Sequence, residues 1–377
     1  MVEAPPVKEV AFSYDFCRKE SQTQFQGGKW VNYHPDQRWV WPDSGRVQFV
    51  CIVSDPQLVL TNVALQVMRE EVSNQSAVVV PVYNSSDISS QIAVLPGVYT
   101  TVGSFYEVAG LLSKQPVSCK SISKPYDPGC VMCPAHVFPP GTEFSSYDDF
   151  LAQLPESVLV TPRALVHRFR DYGGADRSDL LAWIPEEALD ILEIGCGQGW
   201  LGRQLQHRPQ VRMTGVEINP AFADVISEGY QQVFVLPVEE FSPQERYDCI
   251  VCGDVLEHLE DPWGLVKRLS QWLKPGGCLL ASVPNAGHWS LVCDLACGRF
   301  DYLPYGLTCI THLRWFTEAT LREMLEQAGL VVEALELQSP PPTPQGEKFI
   351  RMLVENGGAD EASLRALGFL VRAVRVK

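Results

Sequence analysis

From about residue 175 onward the chain alternates short apolar runs with helix-like segments at regular spacing, and no other feature constrains its fold as strongly. LDILEIG (189–195), VRMTGVE (211–217), QQVFVLP (231–237), YDCIVCG (247–253) and GCLLASVP (277–284) are each bounded by turn residues. Helical stretches follow them, such as PWGLVKRLSQWL (262–273), whose apolar residues recur at i, i+3, i+4 and i+7. Strands joined through helices run parallel, with helices covering both faces of the sheet. After the fifth run an insertion extends from Asn285 to about Phe316, followed by a helix capped by Thr317 and stopped at Gly329. VVEALELQ (331–338) and, past the proline loop SPPPTPQG (339–346) and a further helix, FLVRAVRV (369–376) complete seven strands. The predicted architecture is α/β: a doubly wound seven-stranded sheet over 178–377 with an insertion after strand 5, preceded by a smaller α/β domain over 1–177.

Length and composition agree with two domains. A chain of 377 residues exceeds the size at which one hydrophobic core stops growing. Hydrophobic residues at 46% and charged residues at 20% are globular values. The formal charge of −15 repels phosphate backbones and anionic lipid surfaces, so nucleic acid is excluded as a partner, and neither half of the chain hides a basic domain. There is no run of eighteen apolar residues, and MVEAPPVKEVAFSYDF lacks the layout of a signal peptide, so a cytoplasmic protein with no membrane span is expected. The twelve cysteines lie in apolar strand-like runs and read as buried hydrophobes. Cys130 and Cys133 form a CxxC near Cys119 and His136, but no second pair follows at zinc-site spacing, so no metal is expected there.

The segment Glu193-Ile-Gly195-Cys-Gly197-Gln-Gly199 ends the first strand and opens a helix. Its glycines let backbone approach a ligand closely. The spacing ExGxGxG differs from the GxGxxG of dinucleotide sites, and a carboxylate two residues before the first glycine repels pyrophosphate but can reach an ammonium. A nucleotide that carries an amino acid suits this loop better than NAD. Glu217 ends the second strand, where a carboxylate can accept both hydroxyls of a ribose. Val238 and Glu239 follow the third strand, where an adenine would lie. Asp254 follows the fourth, in GDVLEH (253–258). All fall at carboxyl ends of strands, where open α/β sheets bind ligands.

Taken together, LEIGCGQG, the acidic end of GVEINP, CGDVLEHLEDP and LKPGGCLLASVPN resemble, in order and spacing, class I S-adenosylmethionine-dependent methyltransferases of the group similar to ubiquinone-pathway O-methyltransferases. The resemblance covers about 178–377. It implies a Rossmann-like sheet and S-adenosyl-L-methionine as cofactor, with S-adenosyl-L-homocysteine as product. Gly195, Gly197 and Gly199 would cradle the methionine part, with Glu193 and Asp254 near its ammonium group, Glu217 on the ribose and Val238 with Glu239 on the adenine. Pro237 stands where many relatives carry an acid, which removes one side-chain reader of the adenine amine.

The insertion carries acceptor specificity in this reading. Thr311-His312-Leu313-Arg314-Trp315-Phe316-Thr317 matches a related run in similar methyltransferases, and His288 or His312 is the candidate base for a hydroxyl acceptor, since imidazole titrates near neutrality. His258 is a third candidate, or a ring that caps the adjoining helix. Equally open, His312 and Arg314 fasten the insertion to the sheet, Glu257 is structural, and Tyr302 and Tyr305 wall a pocket or simply pack.

The first 177 residues resemble, more faintly, a truncated family 2-type (GT-A) glycosyltransferase: VQFVCIVSDPQ ends a strand in an acidic turn, and a later strand ends VPVYN. Only one acid stands in Asp55-Pro56-Gln57, so a non-catalytic remnant is expected that binds a glycan, forms a homodimer or braces the second domain. The leading functional reading is O-methylation of a small-molecule or sugar hydroxyl. The alternatives are a bifunctional glycosyltransferase-methyltransferase of surface-polysaccharide assembly and a non-catalytic cofactor-binding scaffold.

Overall fold

Seven strands of the second half pair into one sheet: β1 (Asp190–Ile194), β2 (Arg212–Glu217), β3 (Gln232–Val235), β4 (Tyr247–Gly253), β5 (Leu273–Pro284), β6 (Leu330–Gln338) and β7 (Gly368–Arg375). The computed structural model describes residues 38–42, 48–55, 57–169, 176–222 and 229–376. The chain divides into two compact units, Met1–Arg170 and Asp171–Lys377.

In the second unit the order is β3-β2-β1-β4-β5-β7-β6. The first five strands are parallel; β7 enters antiparallel between β5 and β6. Ile194 at the end of β1 pairs with Val216 of β2 on one side and Cys252 of β4 on the other, so the three strands end at one level. The period of two along β1 divides its side chains. Leu192 and Ile194 pack with Leu265, Leu269 and Leu325 on one face, and Ile191 packs with Leu180, Leu201 and Leu205 on the other. Both faces are apolar because both are covered, as parallel sheets require.

Two details differ from the expectations. The LKPGG segment does not precede β5 but belongs to it: the register passes from Tyr247–Leu273 to Cys249–Cys278, and Lys274–Gly277 bulge between those pairs. The helix after the glycine loop is only Trp200–Leu205, less than two turns, so the loop amides rather than a helix dipole face any ligand. Thr317 caps the helix Glu318–Gln327, and its reciprocal partner is the hydroxyl of Thr320. Among the described residues no helix is long and apolar enough to cross a membrane.

The first unit is a mixed sheet with the strand order Phe49–Val53, Cys130–Pro134, Val79–Tyr83, Ser157–Arg168, Leu58–Leu60; Lys120–Ser123 pairs with Ser157–Arg168 off this path. The helix Asn62–Gln75 packs its apolar side with Val79, Cys130 and Val166, and an aromatic group of Trp41, Phe138, Phe144 and Phe150 fills the other face. Cys130 and Cys133 sit three apart on one strand and enter these two different cores, which separates the CxxC thiols. His136 is exposed. Asp55, the acid of the expected glycosyltransferase turn, accepts from Arg168 Nε at 2.7 Å. The same guanidinium is bidentate to Asp127 (2.5 and 2.8 Å) and lies over the Tyr83 ring at 4.5 Å. Burial alone would raise the Asp127 carboxyl; hydrogen bonds from Arg168, Ser86 and the Gly129 amide outweigh it and hold the group below the usual carboxylate range.

Because Arg168 neutralises two partly buried carboxylates, Arg168→Met leaves both uncompensated and is expected to cost about 3 kcal/mol. Urea denaturation read at the tryptophans of the first unit checks this; a loss below about 1 kcal/mol would class the cluster with ordinary surface pairs.

Candidate active site

The turn after β1 is built on left-handed backbone. Gly195, Gly197 and Gly199 have φ of +71°, +50° and +76°. At Gly195 a Cβ would also lie 2.6 Å from Val255 Cγ2, so both conformation and space demand glycine. The turn is tied to the end of β2. The Gly195 amide donates to the Val216 carbonyl (2.8 Å), and the Gly197 amide to Glu217 Oε2 (2.8 Å). Glu217 Oε1 accepts from the Asn219 amide at 2.9 Å. The Glu217 carboxylate is buried and presents acceptors at the level where the glycine turn begins.

Glu193 is placed differently from the expectation of a group free to reach an ammonium. It lies on the Ile191 face of β1, buried, and its Oε2 accepts from the Tyr230 hydroxyl. That hydroxyl accepts in turn from the Gly202 amide at 3.2 Å. The Tyr230 ring lies directly on backbone at Gly202 and Gly215, where any Cβ would strike it at 2.1 and 3.1 Å. Burial pushes the Glu193 carboxyl up to about 8, against the lowering effect of the Tyr230 hydrogen bond. Glu193 thus braces the underside of the glycine turn. Val238 is buried in the core beside Phe241, whereas Glu239 is exposed.

Asp254 directly follows β4 with φ +53°. Its Oδ1 accepts from Ser282 Oγ (2.6 Å) and its Oδ2 from Arg177 Nη1 (2.7 Å). Arg177 Nη2 also donates to Ser282 Oγ (2.8 Å), and Asp179, which pairs with Arg177, accepts from Gln338 Nε2 (3.1 Å). Residues from four segments therefore join one cation, Arg177, to two anions, Asp179 and Asp254, beside the carboxyl ends of β4 and β5. A Cβ at Gly253 would meet the ends of the Leu180 and Arg177 side chains at 2.7 and 2.8 Å.

Of the three candidate histidines, the structure brings two together. The His258 and His312 rings meet edge to face at 4.8 Å, and Glu257, His258 and His312 present ligand atoms all within 4.8 Å of one another. His312 Nδ1 lies 3.2 Å from the Leu307 carbonyl, which can only accept, so the proton sits on Nδ1 and Nε2 keeps its lone pair. Burial, with the neighbouring His258, lowers His312 to about 4, so it is neutral at pH 7. Burial, followed by repulsion from Asp254, drives the Glu257 carboxyl well above the usual range. His288 stands apart. It is buried, caps the helix Trp289–Ala296, and its Nδ1 lies 2.8 Å from the Ser290 hydroxyl and 3.4 Å from the Ser290 amide.

The run 312–316 is fastened as a strap: the Leu313 and Arg314 amides donate to the Glu257 carbonyl (2.7 and 3.0 Å), and Arg314 Nη2 donates to the Glu260 carbonyl. Asn285, wholly buried, anchors the insertion's start through donors to Ser363 and Ala366 carbonyls (2.8 and 2.7 Å). Tyr302 is exposed and touches Phe300 edge-on. Arg177, Tyr230 and Ser282 were not foreseen. Each joins the site by packing between segments distant in sequence, and neither Arg177 nor Tyr230 carries a local motif.

This strand order, with β7 antiparallel and a glycine turn bound to an acid at the end of β2, defines a doubly wound nucleotide-binding domain of the class I methyltransferase kind. Residues 162–335 match the family model described as "Methyltransferase domain". A malonyl-[acyl-carrier protein] O-methyltransferase of Halalkalibacterium halodurans is 31% identical over 141 residues, covering 35% of this chain and 51% of that protein. A trans-aconitate 2-methyltransferase of Deinococcus radiodurans is 35% identical over 130 residues (33% of this chain, 50% of that one). A ubiquinone biosynthesis O-methyltransferase of Aeromonas salmonicida is 28% identical over 170 residues (40% and 69%). The chain spans about half the length of the first two relatives. Residues 162–335 thus carry a methyltransferase domain similar to those of S-adenosylmethionine-dependent enzymes of class I.

Glu193 gives a pH signature. Its carboxyl is raised in the folded state, so the fold binds the extra proton and is favoured at low pH; that stability is lost as pH rises from about 4.5 to about 8. Glu193→Gln is expected to flatten this part of the stability curve, whose limiting slope is about 1.4 kcal/mol per pH unit. Thermal melts at pH 5 and 8 measure it, and equal pH dependence in both proteins would show Glu193 ionised in the fold.

Proposed function

We propose that the C-terminal unit binds S-adenosylmethionine and transfers its methyl group to an oxygen of a small molecule, with a hydroxyl of a phenol or sugar as the leading acceptor. The observation that carries this reading is the glycine turn pinned to Glu217, standing level with Asp254 and Arg177 at the ends of neighbouring strands. When bound, the cofactor supplies an electrophilic methyl on a sulfonium. Gly195, Gly197 and Gly199 would admit its backbone-like methionine part, and Glu217 would accept from ribose hydroxyls. Asp254 and Arg177 present the charges complementary to an ammonium and a carboxylate. Glu193 supports the turn from below and Val238 supports an apolar floor, with Glu239 at the rim.

On the acceptor side, His258 and His312 stand together at the end of β4 under the strap of the insertion, and His312 Nε2 is an acceptor at neutral pH. Catalysis would rest mainly on positioning, with these groups receiving the hydroxyl. The names of two relatives, malonyl-acyl-carrier-protein and ubiquinone biosynthesis O-methyltransferase, favour an oxygen acceptor. For residues 1–177 we favour an accessory role over glycosyl transfer, because Asp55 is committed to Arg168.

Calorimetry with S-adenosylmethionine should give one site on the wild type and no heat on Gly197→Trp. Glu217→Ala, with circular dichroism unchanged, is expected to weaken binding about 10- to 100-fold, the worth of charged hydrogen bonds. Labelled cofactor and a panel of phenols, sugars and amines then identify the acceptor atom. Absence of binding to the wild type would remove the cofactor reading, and transfer to amines alone would remove the oxygen acceptor.

A further inference from the structure

The insertion after β5 sorts its large side chains into two sets. Leu303, Leu307 and Phe316 are buried, whereas Phe300, Tyr302 and Trp315 stay 38, 51 and 36% exposed. One exposed aromatic ring needs no explanation, but these three touch: Phe300 meets Tyr302 at 5.2 Å and Trp315 at 5.7 Å, both edge to face. Trp315 in turn meets the His312 ring at 5.9 Å, so the group runs outward from the histidine pair. The segment that carries the rings is tied at several points. The Leu303 amide donates to the Thr308 carbonyl and the Ile310 amide to the Leu303 carbonyl, both at 2.9 Å. Thr308 Oγ1 donates to the Asp301 carbonyl (2.7 Å), and the Arg299 amide to the Asp294 carbonyl (2.8 Å). A surface held in one shape loses little entropy when a ligand settles on it. We propose that Phe300, Tyr302 and Trp315 form the acceptor platform of this domain and that the acceptor is a carbohydrate. The proposal rests on the methyl-transfer reading above.

Openness, polarity and charge together select a sugar. A pyranose has an apolar face of C–H bonds and a rim of hydroxyls, so it can stack one face on aromatic rings while its other side stays hydrated. A phenol or another flat apolar acceptor gains most from a closed slot that covers both its faces, and rings left a third to a half exposed do not make one. Polar atoms for the hydroxyls stand within the platform. Asp301 lies between Phe300 and Tyr302 in the chain, its Oδ2 accepts from Arg299 Nη2 at 2.8 Å, and both side chains reach solvent. The carboxylate can accept from sugar hydroxyls and the guanidinium can donate to them, so neither charge has to be buried for a diol to bind. Charge then separates a sugar from a lipid surface. Between Asn285 and Phe316 the charged residues are Asp294, Arg299, Asp301 and Arg314, which cancel, and the whole chain carries −15. An aromatic patch that enters an anionic membrane is ordinarily ringed by Lys and Arg. Trp315, the ring that touches His312, would hold the sugar that receives the methyl group, with Phe300 and Tyr302 extending the platform under a neighbouring unit of a longer glycan.

The test uses the full-length protein and saturation-transfer difference NMR with methyl α-glucoside, methyl α-mannoside, methyl α-rhamnoside, maltotriose and cellotriose. Catechol serves as the phenol, and vesicles of phosphatidylglycerol and phosphatidylcholine as the lipid surface. At least one sugar is expected to give a saturable signal, strongest on its ring C–H protons. Tyr302→Ala and, independently, Trp315→Ala should each weaken that binding about fivefold to tenfold, the worth of a lost aromatic stack, whereas Trp315→Phe retains most of it. Calorimetry with S-adenosylmethionine should stay at wild-type values in all three variants, which separates loss of the platform from loss of the fold. No saturable signal from any of the sugars, sugar binding unchanged in both alanine variants, or a Trp315-dependent preference for catechol or for vesicles would each overturn the proposal. Sugar binding is read without turnover, so a protein that binds sugar but no S-adenosylmethionine would refute the methyl-transfer reading alone, and one that binds S-adenosylmethionine but no sugar would refute the platform alone.

Discussion

Parallel pairing of β1 with both β2 and β4 is the constraint on which the site depends. It brings Ile194, Val216 and Cys252 to one level, so the next residues of each strand, the glycine turn, Glu217 and Asp254, emerge at one edge of the sheet. A slip of one residue in either pairing would turn Glu193 and Ile194 to each other's faces and break both covered cores. The hydrogen bond from the Gly197 amide to Glu217 then locks turn to strand end, and Glu193 with Tyr230 holds the turn from beneath.

Acidic residues that look alike in sequence have been given different work by their surroundings. Glu217 accepts backbone amides at a strand end, Glu193 is buried against a tyrosine hydroxyl, and Asp254 is paired with an arginine. Glu257 is buried with neither. These acids are internal and serve the site, and burial favours the uncharged form of the Glu193 and Glu257 carboxyls.

The histidines show the same dependence on context. His288 and His312 are both buried and both neutral at pH 7, yet their partners differ: the hydroxyl and amide of Ser290 meet His288 Nδ1, whereas a carbonyl that can only accept meets His312 Nδ1. On His312 the nitrogen that keeps a lone pair is therefore decided by one hydrogen bond, and no spacing rule in the chain encodes it.

The sequence by itself determined most of the second half of the fold: seven strands, the glycine turn, the acid at the end of β2 and several of the helices, although no helix joins β3 to β4. These follow from local periodicity and from residues whose backbone conformation or charge is needed where they stand. The β5 bulge was not legible, because a Lys-Pro-Gly-Gly run reads as a turn until a neighbouring strand pairs across it. Nor were Arg177 and Tyr230, which reach the site through space from segments without motifs. The withdrawal of Glu193 to the underside of the turn, the separation of His288 from His258 and His312, and the isolation of Glu257 among imidazoles were decided by tertiary packing. Burial and partner choice depend on what the fold brings alongside a side chain, and that information is spread over the whole chain rather than held in any one segment.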